Sequence, residues 1–393
     1  METDGTTNGG AALGTMGPPP PPAVRSRTTH LSPRVEGVEV TAYEIPTERP
    51  ESDGTLEWDS TTLVLVEAFN GRERGVGYTY ADRSVATLIE SKLADQVRGA
   101  DAMRPPAVWA AMRRELRNTG QAGAGSMAIS AVDIALWDLK ARLLGVSLAD
   151  ALPRVRDSVP IYGSGGFTSY DESELRRQLR GWIQSGIRAV KIKVGRDPDA
   201  DPARVAVARE VIGPNVELMV DANGAYSLPQ ALGLAERFAE QDVTWFEEPL
   251  SSEDLEGLAE LRSRSPAGMA IAAGEYAWSS IECHRLLEAG AVDILQADVT
   301  RCGGITEFLH VGGLCSARQV PFSAHCAPAV SAHACCAIET VEHIEHFHDH
   351  VRIESMLFGG APEPKDGELR PDDAHTGLGL EPRRSALEEY RVE

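Results

Sequence analysis

A chain of 393 residues with a formal net charge of −21 has room for two domains, one of them large enough for a substantial core. The charge excludes nucleic acid as a natural partner, because phosphate binding needs a surplus of Lys and Arg, and it argues equally against an anionic membrane surface. An acidic, solvated exterior is the plain reading, so an anionic substrate must be drawn in by a local feature such as a metal ion beside lysines. The six cysteines, Cys283, Cys302, Cys315, Cys326, Cys335 and Cys336, contain no C-x-x-C pair, which favours reduced thiols over a structural zinc or a disulfide framework. No apolar run approaches the ~18–20 residues of a membrane span. METDGTTNGG lacks the basic and apolar regions of a secretory signal, and cytoplasm is the expected compartment.

Residues 1–30 are rich in Gly, Thr, Ala and Pro, with five consecutive prolines at Pro18–Pro22. Such a composition cannot bury enough surface to offset its ordering entropy and predicts a disordered tail. Two strands follow, VEGVEVTAYEI and STTLVLVEAF, joined by the polar loop PTERPESDGTLEWD. Helical material then runs to about residue 152. Its clearest piece, SMAISAVDIALWDLKARLLG, offers Ser126 as N-cap and Gly145 as stop. It is apolar nearly all round, as expected of a helix buried at a domain junction. Residues 31–152 therefore read as a small α+β domain.

From residue 159 the rhythm changes. Short apolar runs recur at VPIYGS, RAVKIKV, VELMVDA, VTWFEEP, MAIAAGE, AVDILQA, VPFSAH and HIEHF. Amphipathic helical patterns separate them: Leu175, Leu179 and Trp182; Leu228, Leu232 and Ala235; Leu255, Leu258 and Leu261. Ser227 and Gln230 have capping-box spacing, and Gly186 and Gly290 read as helix stops. Eight strand-then-helix units predict a parallel (β/α)8 barrel over 153–358. An open doubly wound sheet is the alternative, but GSGG at 163–166 lacks the G-x-G-x-x-G spacing of its phosphate loop. Residues 359–393 are expected to return to the first domain.

In such a barrel chemistry gathers at the C-terminal ends of the strands. Asp221, Glu247 and Glu275 end three consecutive runs, 26 and 28 residues apart. Isolated acids at strand ends are ordinarily helix caps. Three in successive units would repel one another at the barrel mouth without a cation, and a carboxylate-only set selects Mg²⁺, with Mn²⁺ as substitute. Glu248 competes with Glu247 but should point to the opposite side of its strand. Lys191 and Lys193 share one face of VKIKV, and burying two ammonium groups requires an anion. Desolvation and a nearby Mg²⁺ would each lower a lysine pKa toward that of a general base. Asp298 and His325 end adjacent strands and suit a histidine base oriented by a carboxylate. Glu345 in HIEHF is a candidate acid or hydrogen-bond donor. The histidines His343, His346, His348 and His350 are not needed as metal ligands, and Arg301 with Gly303 and Gly304 is expected to shape a loop.

Together AISAVDIALWDLKA, the K-x-K of VKIKV, VDAN, WFEEP, AAGE, the Asp298-to-His325 spacing and LGLE at 378–381 resemble the enolase superfamily, specifically its mandelate racemase group, over about residues 35–380. The resemblance implies a barrel with an N-terminal α+β cap completed by the C-terminal segment. It also implies Mg²⁺ on Asp221, Glu247 and Glu275, and proton abstraction α to a substrate carboxylate through an enediolate. Lys193 would serve one face of the substrate and His325, oriented by Asp298, the other. Lys191 would add positive charge at the carboxylate and Glu345 would be a hydrogen-bonding acid. Homo-oligomers are common in that group. Three outcomes stay open: dehydration of an acid sugar to a 2-keto-3-deoxy acid, racemisation or epimerisation of a 2-hydroxy acid, and carboxylate binding without catalysis. Loop 46–59 should cover the barrel mouth, and its Thr47, Glu48, Arg49, Glu51, Ser52 and Asp53 suit a polyhydroxy acid better than an aromatic one, which favours dehydration.

Overall fold

The computed structural model of the protein describes Met1 and residues 32–392; beyond Met1, the tail expected at 1–30 lies outside the described residues. An antiparallel sheet opens the fold, with β1 (Gly37–Ser52), β2 (Glu57–Phe69) and β3 (Arg74–Tyr80) in sequence order. Most of the segment read as a polar loop is strand. β1 and β2 stay paired to Ser52 and Glu57, with a bulge between Pro46 and Glu51. The two prolines bordering that irregularity, Pro46 and Pro50, cannot donate to a ladder, which is why they fall where the pairing breaks.

Short helical pieces follow: α1 (Ser84–Leu88), a π-helical turn (Ile89–Leu93), α2 (Ala94–Val97) and α3 (Pro105–Glu115). The long helix α4 (Ala124–Leu144) is capped by Gly123 rather than Ser126, and ends at Gly145 with φ 72°. Ser126 instead donates from Oγ to the Trp278 carbonyl at 2.7 Å. α4 lies directly on β3, where Cβ atoms at Gly75 and Gly77 would stand 2.2 Å from the Ala135 and Ala131 carbonyl oxygens. Only glycine permits that approach. Its polar residues face inward too. Ser130 Oγ accepts from Gly303 N–H, Asp133 from Thr306, and Asp138 from the Val76 and Leu378 amides. The helix thus ties the cap sheet, the barrel and the C-terminal segment together. A short α5 (Leu148–Ala151) leads out.

The barrel strands are β4 (Val159–Gly165), β5 (Ala189–Lys193), β6 (Glu217–Asp221), β7 (Val243–Glu247), β8 (Ala270–Ala273), β9 (Ile294–Ala297), β10 (Phe322–Ala324) and β11 (Val341–Phe347). Each pairs in parallel with the next, and β11 pairs with β4 to close the barrel. Helices α6 (Glu172–Gln184), α7 (Asp201–Ile212), α8 (Leu228–Ala239), α9 (Leu255–Arg264), α10 (Ser280–Ala289), α11 (Gly304–Arg318), α12 (Pro328–Cys335) and α13 (His348–Leu357) fall between or after them. The Ser227–Gln230 capping box is present, and Asp171 and Asp254 cap α6 and α9. Tyr162, Ala189, Met219, Trp245, Ala272 and Ile294 fill the barrel floor as a separate apolar cluster. Two and four residues further along the same inward face come Lys191, Lys193, Asp221 and Glu247; one alternation makes the plug and the site.

The C-terminal segment adds β12 (Phe358–Gly359), β13 (Glu368–Leu369), β14 (Glu381–Pro382), α14 (Arg384–Glu389) and β15 (Arg391–Val392). β13 pairs antiparallel with β4, while β15 joins the edge of the cap sheet beside β1. No helix among the described residues is long and apolar enough to cross a membrane. All six cysteines are free and buried.

Candidate active site

Asp221, Glu247 and Glu275 converge, each offering a carboxylate oxygen within 4.8 Å of the others'. All three are buried. Trp245 and Gln296 donate to Glu247 Oε2 at 2.9 and 3.0 Å, and the Asn223 amide donates to Asp221 Oδ1 at 3.0 Å. Lys191 Nζ lies 2.5 Å from Glu247, 3.0 Å from Glu345 and 3.4 Å from Asp221, and Lys193 Nζ lies 2.5 Å from Asp221. Burial and the Asp221 charge push Glu247 up to about 8 despite Lys191. A carboxyl so crowded by like charges has the environment of a cation site, and three hard oxygens from three strands fit a divalent ion such as Mg²⁺.

His325 lines the same cavity as Lys193. Its Nδ1 is 2.8 Å from Asp298 Oδ2, and its Nε2 is 3.0 Å from Glu275 and 3.4 Å from Glu345. The other Asp298 oxygen accepts from the Thr300 amide and hydroxyl, both at 2.7 Å. Burial pulls the imidazolium down, but the surrounding anions outweigh it and hold His325 well above its ordinary value. The same contest, led by burial and reversed by Asp221, raises Lys193. The facing carboxylate thus outweighs the desolvation that was expected to lower the lysine pKa. Glu345 accepts from Ser164 Oγ at 2.6 Å and from the Cys326 amide at 3.2 Å. Burial disfavours its charge, but Lys191 and His325 hold it below the usual carboxylate range. In this arrangement it is an acceptor rather than a donor.

Lys193, Glu275 and His325 line a cavity of about 320 Å³ between the barrel mouth and the cap, with Trp58, Thr61 and Tyr80 contributed by β2 and β3. The hairpin tip reaches the barrel rim. The Thr168 amide donates to the Ser52 carbonyl at 2.8 Å, and Thr168 Oγ1 donates to the Asp53 carbonyl at 2.7 Å.

Two expectations are corrected. Glu248 does not point away: its φ of 35° breaks the alternation of the strand. It is buried, and burial with the Glu275 and Asp221 charges raises its pKa well above the ordinary value. Arg301 does more than shape a loop. It lines the cavity, 3.6 Å from Glu275 and 3.5 Å from Asp298, over the Tyr276 ring. Sequence reasoning also missed Asn223, Cys326, Tyr80 and His350 in the cavity wall. Asn223 and Cys326 adjoin named site residues in VDAN and SAHC, whereas Tyr80 and His350 carry no local signal. The histidine cluster disperses: His343 packs against Tyr162 and Trp245, His348 meets Glu48, and His350 stacks on Tyr80.

Residues 39–152 match the mandelate racemase/muconate lactonizing enzyme N-terminal domain, and residues 174–386 match the enolase C-terminal domain-like family. The chain belongs to the mandelate racemase/muconate lactonizing enzyme family of the enolase superfamily. A family structure from Rubrobacter xylanophilus, described as a mandelate racemase/muconate lactonizing enzyme-like protein, is 61% identical, with TM-score 0.90 over 92% of this chain and 100% of that one. The 3,6-anhydro-alpha-L-galactonate cycloisomerase of Streptomyces coelicolor is 33% identical over 313 residues, 77% of this chain and 86% of that protein. L-talarate/galactarate dehydratase from Salmonella typhimurium, liganded with Mg and L-lyxarohydroxamate, aligns with TM-score 0.85 and 28% identity over 93% of this chain and 95% of that one. Family relatives of this chain thus include acid-sugar dehydratases and cycloisomerases, and solved examples bind Mg²⁺.

Proposed function

We propose that the protein abstracts the proton α to the carboxylate of an acid sugar, and that the outcome is dehydration to a 2-keto-3-deoxy acid. The observation that carries this reading is the placement of two titratable groups, Lys193 and His325, in one capped cavity beside a buried three-carboxylate cluster. Asp221, Glu247 and Glu275 would hold Mg²⁺, which supplies positive charge for the substrate carboxylate and for the charge that grows as the proton leaves. Metal ligation by Asp221 and the carboxylates beside it would offset part of the anionic charge that holds Lys193 protonated and so favour the neutral amine a base needs.

In this scheme one of the pair Lys193 and His325 takes the α-proton, and the other protonates the departing β-hydroxyl from its own side. Asp298 fixes the His325 tautomer by accepting at Nδ1, leaving Nε2 to face the substrate. Lys191, fully buried, adds a fixed charge where the enediolate develops. Glu345 holds Lys191 and the His325 ring in place. The hairpin brings Asp53, Ser60 and Thr61 to the cavity wall beside Leu56 and Trp58, and these polar groups suit the hydroxyls of a polyhydroxy acid.

Incubating the Mg²⁺-loaded protein with a panel of mono- and diacid sugars and detecting 2-keto acids with a carbonyl reagent tests the reading. Keto-acid formation that stops on chelation is the expected result. Exchange of the α-proton with inversion and no keto acid would instead establish the racemase or epimerase chemistry that the same two groups permit.

A further inference from the structure

The strand ends bring a second set of metal-ligating atoms together. Ala324 of β10 pairs with Ile344 of β11, so the residues that follow, His325 and Glu345, stand side by side. Consecutive side chains of an extended chain point to opposite sides. Cys326, however, has φ 50°, and that turn brings its thiol back to the imidazole before it. Cys326 Sγ is 3.3 Å from His325 Nε2 and 3.4 Å from Glu345 Oε2, and Nε2 is 3.4 Å from Oε2. The three atoms form a nearly equilateral triangle, and all three residues are buried. His325 and Cys326 line the cavity of about 320 Å³, so an ion reaches the triangle by the path a substrate takes.

These donor atoms are the ones the rest of the site leaves available. His325 Nδ1 donates to Asp298 Oδ2 at 2.8 Å, so Nε2 carries the lone pair once the ring is neutral. A carboxylate on the far nitrogen is the support that zinc-binding histidines ordinarily have. Glu345 Oε1 is engaged by Ser164 Oγ at 2.6 Å and Lys191 Nζ at 3.0 Å, whereas Oε2 meets the Cys326 amide at 3.2 Å, the thiol and the imidazole. Tetrahedral Zn²⁺, with bonds of about 2.0–2.2 Å to nitrogen and oxygen and about 2.3 Å to sulfur, sets such ligand atoms about 3.3–3.6 Å apart. The triangle therefore fits the ion with little movement of the side chains. A mixed nitrogen, sulfur and oxygen set favours a thiophilic ion, whereas Mg²⁺ asks for hard oxygens in an octahedron.

We propose that His325, Cys326 and Glu345 form a second metal site, selective for Zn²⁺, that shuts off the active site when filled. On binding, Cys326 and His325 each give up a proton to solvent, since a coordinating thiol is deprotonated outright. The thiolate, the Glu345 carboxylate and Zn²⁺ then sum to zero charge. The fourth position falls to water or to Glu275 Oε2, 3.0 Å from the same Nε2. Zn²⁺ on Nε2 occupies the lone pair through which His325 would move its proton. That consequence rests on the acid-sugar reading given above; the metal site stands without it.

Co²⁺ in place of Zn²⁺ reports the site in the full chain saturated with Mg²⁺, because a thiolate ligand gives Co²⁺ a strong near-ultraviolet charge-transfer band that carboxylates do not. One equivalent of Co²⁺ per chain should develop the band, and Zn²⁺ should bleach it. Cys326→Ser should remove the band and weaken Zn²⁺ binding in calorimetry by at least about a hundredfold, the upper end of what losing a merely supporting partner costs. Its Mg²⁺ affinity and circular dichroism should stay as in the wild type. His325→Asn keeps the thiol and should weaken Zn²⁺ binding in the same way, which separates a three-ligand site from a lone cysteine. With an acid sugar that is turned over, Zn²⁺ should inhibit the wild type at concentrations at least about tenfold below those that inhibit Cys326→Ser, each measured against its own zinc-free rate. No charge-transfer band in the wild type, or a band that survives in Cys326→Ser, overturns the site. Equal Zn²⁺ inhibition of both proteins would show Zn²⁺ acting by displacing Mg²⁺ and overturns the switch. If no acid sugar is turned over, the acid-sugar reading fails, and the band still decides the metal site.

Discussion

At the tip of the β1–β2 hairpin, a Cβ on Gly54 would stand 2.5 Å from the Ala222 carbonyl oxygen, 2.8 Å from that of Val194 and 2.9 Å from Ala225 Cβ. Ala222 and Val194 directly follow Asp221 and Lys193, so these main-chain oxygens cannot yield without moving the site. Residue 54 is outside the left-handed region, and the cost of Gly54→Ala is therefore one of contact, about 1–3 kcal/mol for overpacking. The strain is relieved by lifting the tip. Holding it down are the Ser52–Thr168 hydroxyl contact at 2.6 Å and the two bonds from Thr168 to the Ser52 and Asp53 carbonyls, each contributing about 0.5–1.5 kcal/mol. Strain and restraint are of the same size, so the substitution shifts the lid toward open by about five- to a hundredfold. Hydrogen exchange followed by mass spectrometry should show the amides of residues 52–56 and of Thr168 exchanging at least about tenfold faster. The barrel should keep its Tm, and KM for the substrate should rise. Wild-type exchange rates at the lid in Gly54→Ala would refute the clasp.

Glu51 is buried against Trp58 Nε1 at 3.0 Å and beside Asp349 and Glu48, and burial first, then Asp349, raises its carboxyl pKa to about 8. A folded-state value above the unfolded one gives stability that is complete below about pH 4.5 and is lost as pH rises through about 8. Tm should therefore fall between about pH 5 and 8, and Glu51→Gln should flatten that fall; an identical slope in the variant would contradict the assignment. Asp138 accepts from the Val76 and Leu378 amides and from Arg142. Asp138→Ala strands two buried donors and should cost at least about 2 kcal/mol in urea unfolding, and a loss within error of zero would show that water replaces the carboxylate. Glu247→Gln removes one candidate ligand charge. It should weaken Mg²⁺ binding measured by calorimetry while leaving the circular dichroism of the barrel unchanged, and wild-type Mg²⁺ affinity would remove Glu247 from the site.

How much of this was legible in the sequence follows from which forces are local. Asp221, Glu247, Glu275, Asp298 and His325 each end an apolar run, and closing a parallel barrel brings strand ends together, so periodicity alone placed them. Lys191, Lys193 and Glu345 obeyed the inward alternation. Glu248 escaped that rule because its left-handed backbone turns the chain just past the strand end. The hairpin continued through residues 46–52 because pairing resumes beyond the Pro46–Glu51 bulge, which a polar composition conceals. Ser126 looked like a cap, yet its hydroxyl is claimed by Trp278 in a contact 152 residues distant. Tyr80 and His350 meet only when the cap docks on the barrel, and no pattern within either segment announces that contact.

In the proposed dehydration Lys193 and His325 each move one proton, one at the α-carbon and the other at the β-hydroxyl, and solvent deuterium exchange followed by NMR tests that division most directly. With Mg²⁺ and an acid sugar that the protein turns over, the wild type should incorporate deuterium at the α-carbon or in the keto-acid product. Lys193→Ala and His325→Asn should each stop product formation, with a loss of at least about 10²–10⁴-fold. The variant that keeps the abstracting base should still exchange the α-proton. Wild-type product formation by either variant, or exchange in neither, would contradict the assignment of one proton-transfer role to each residue.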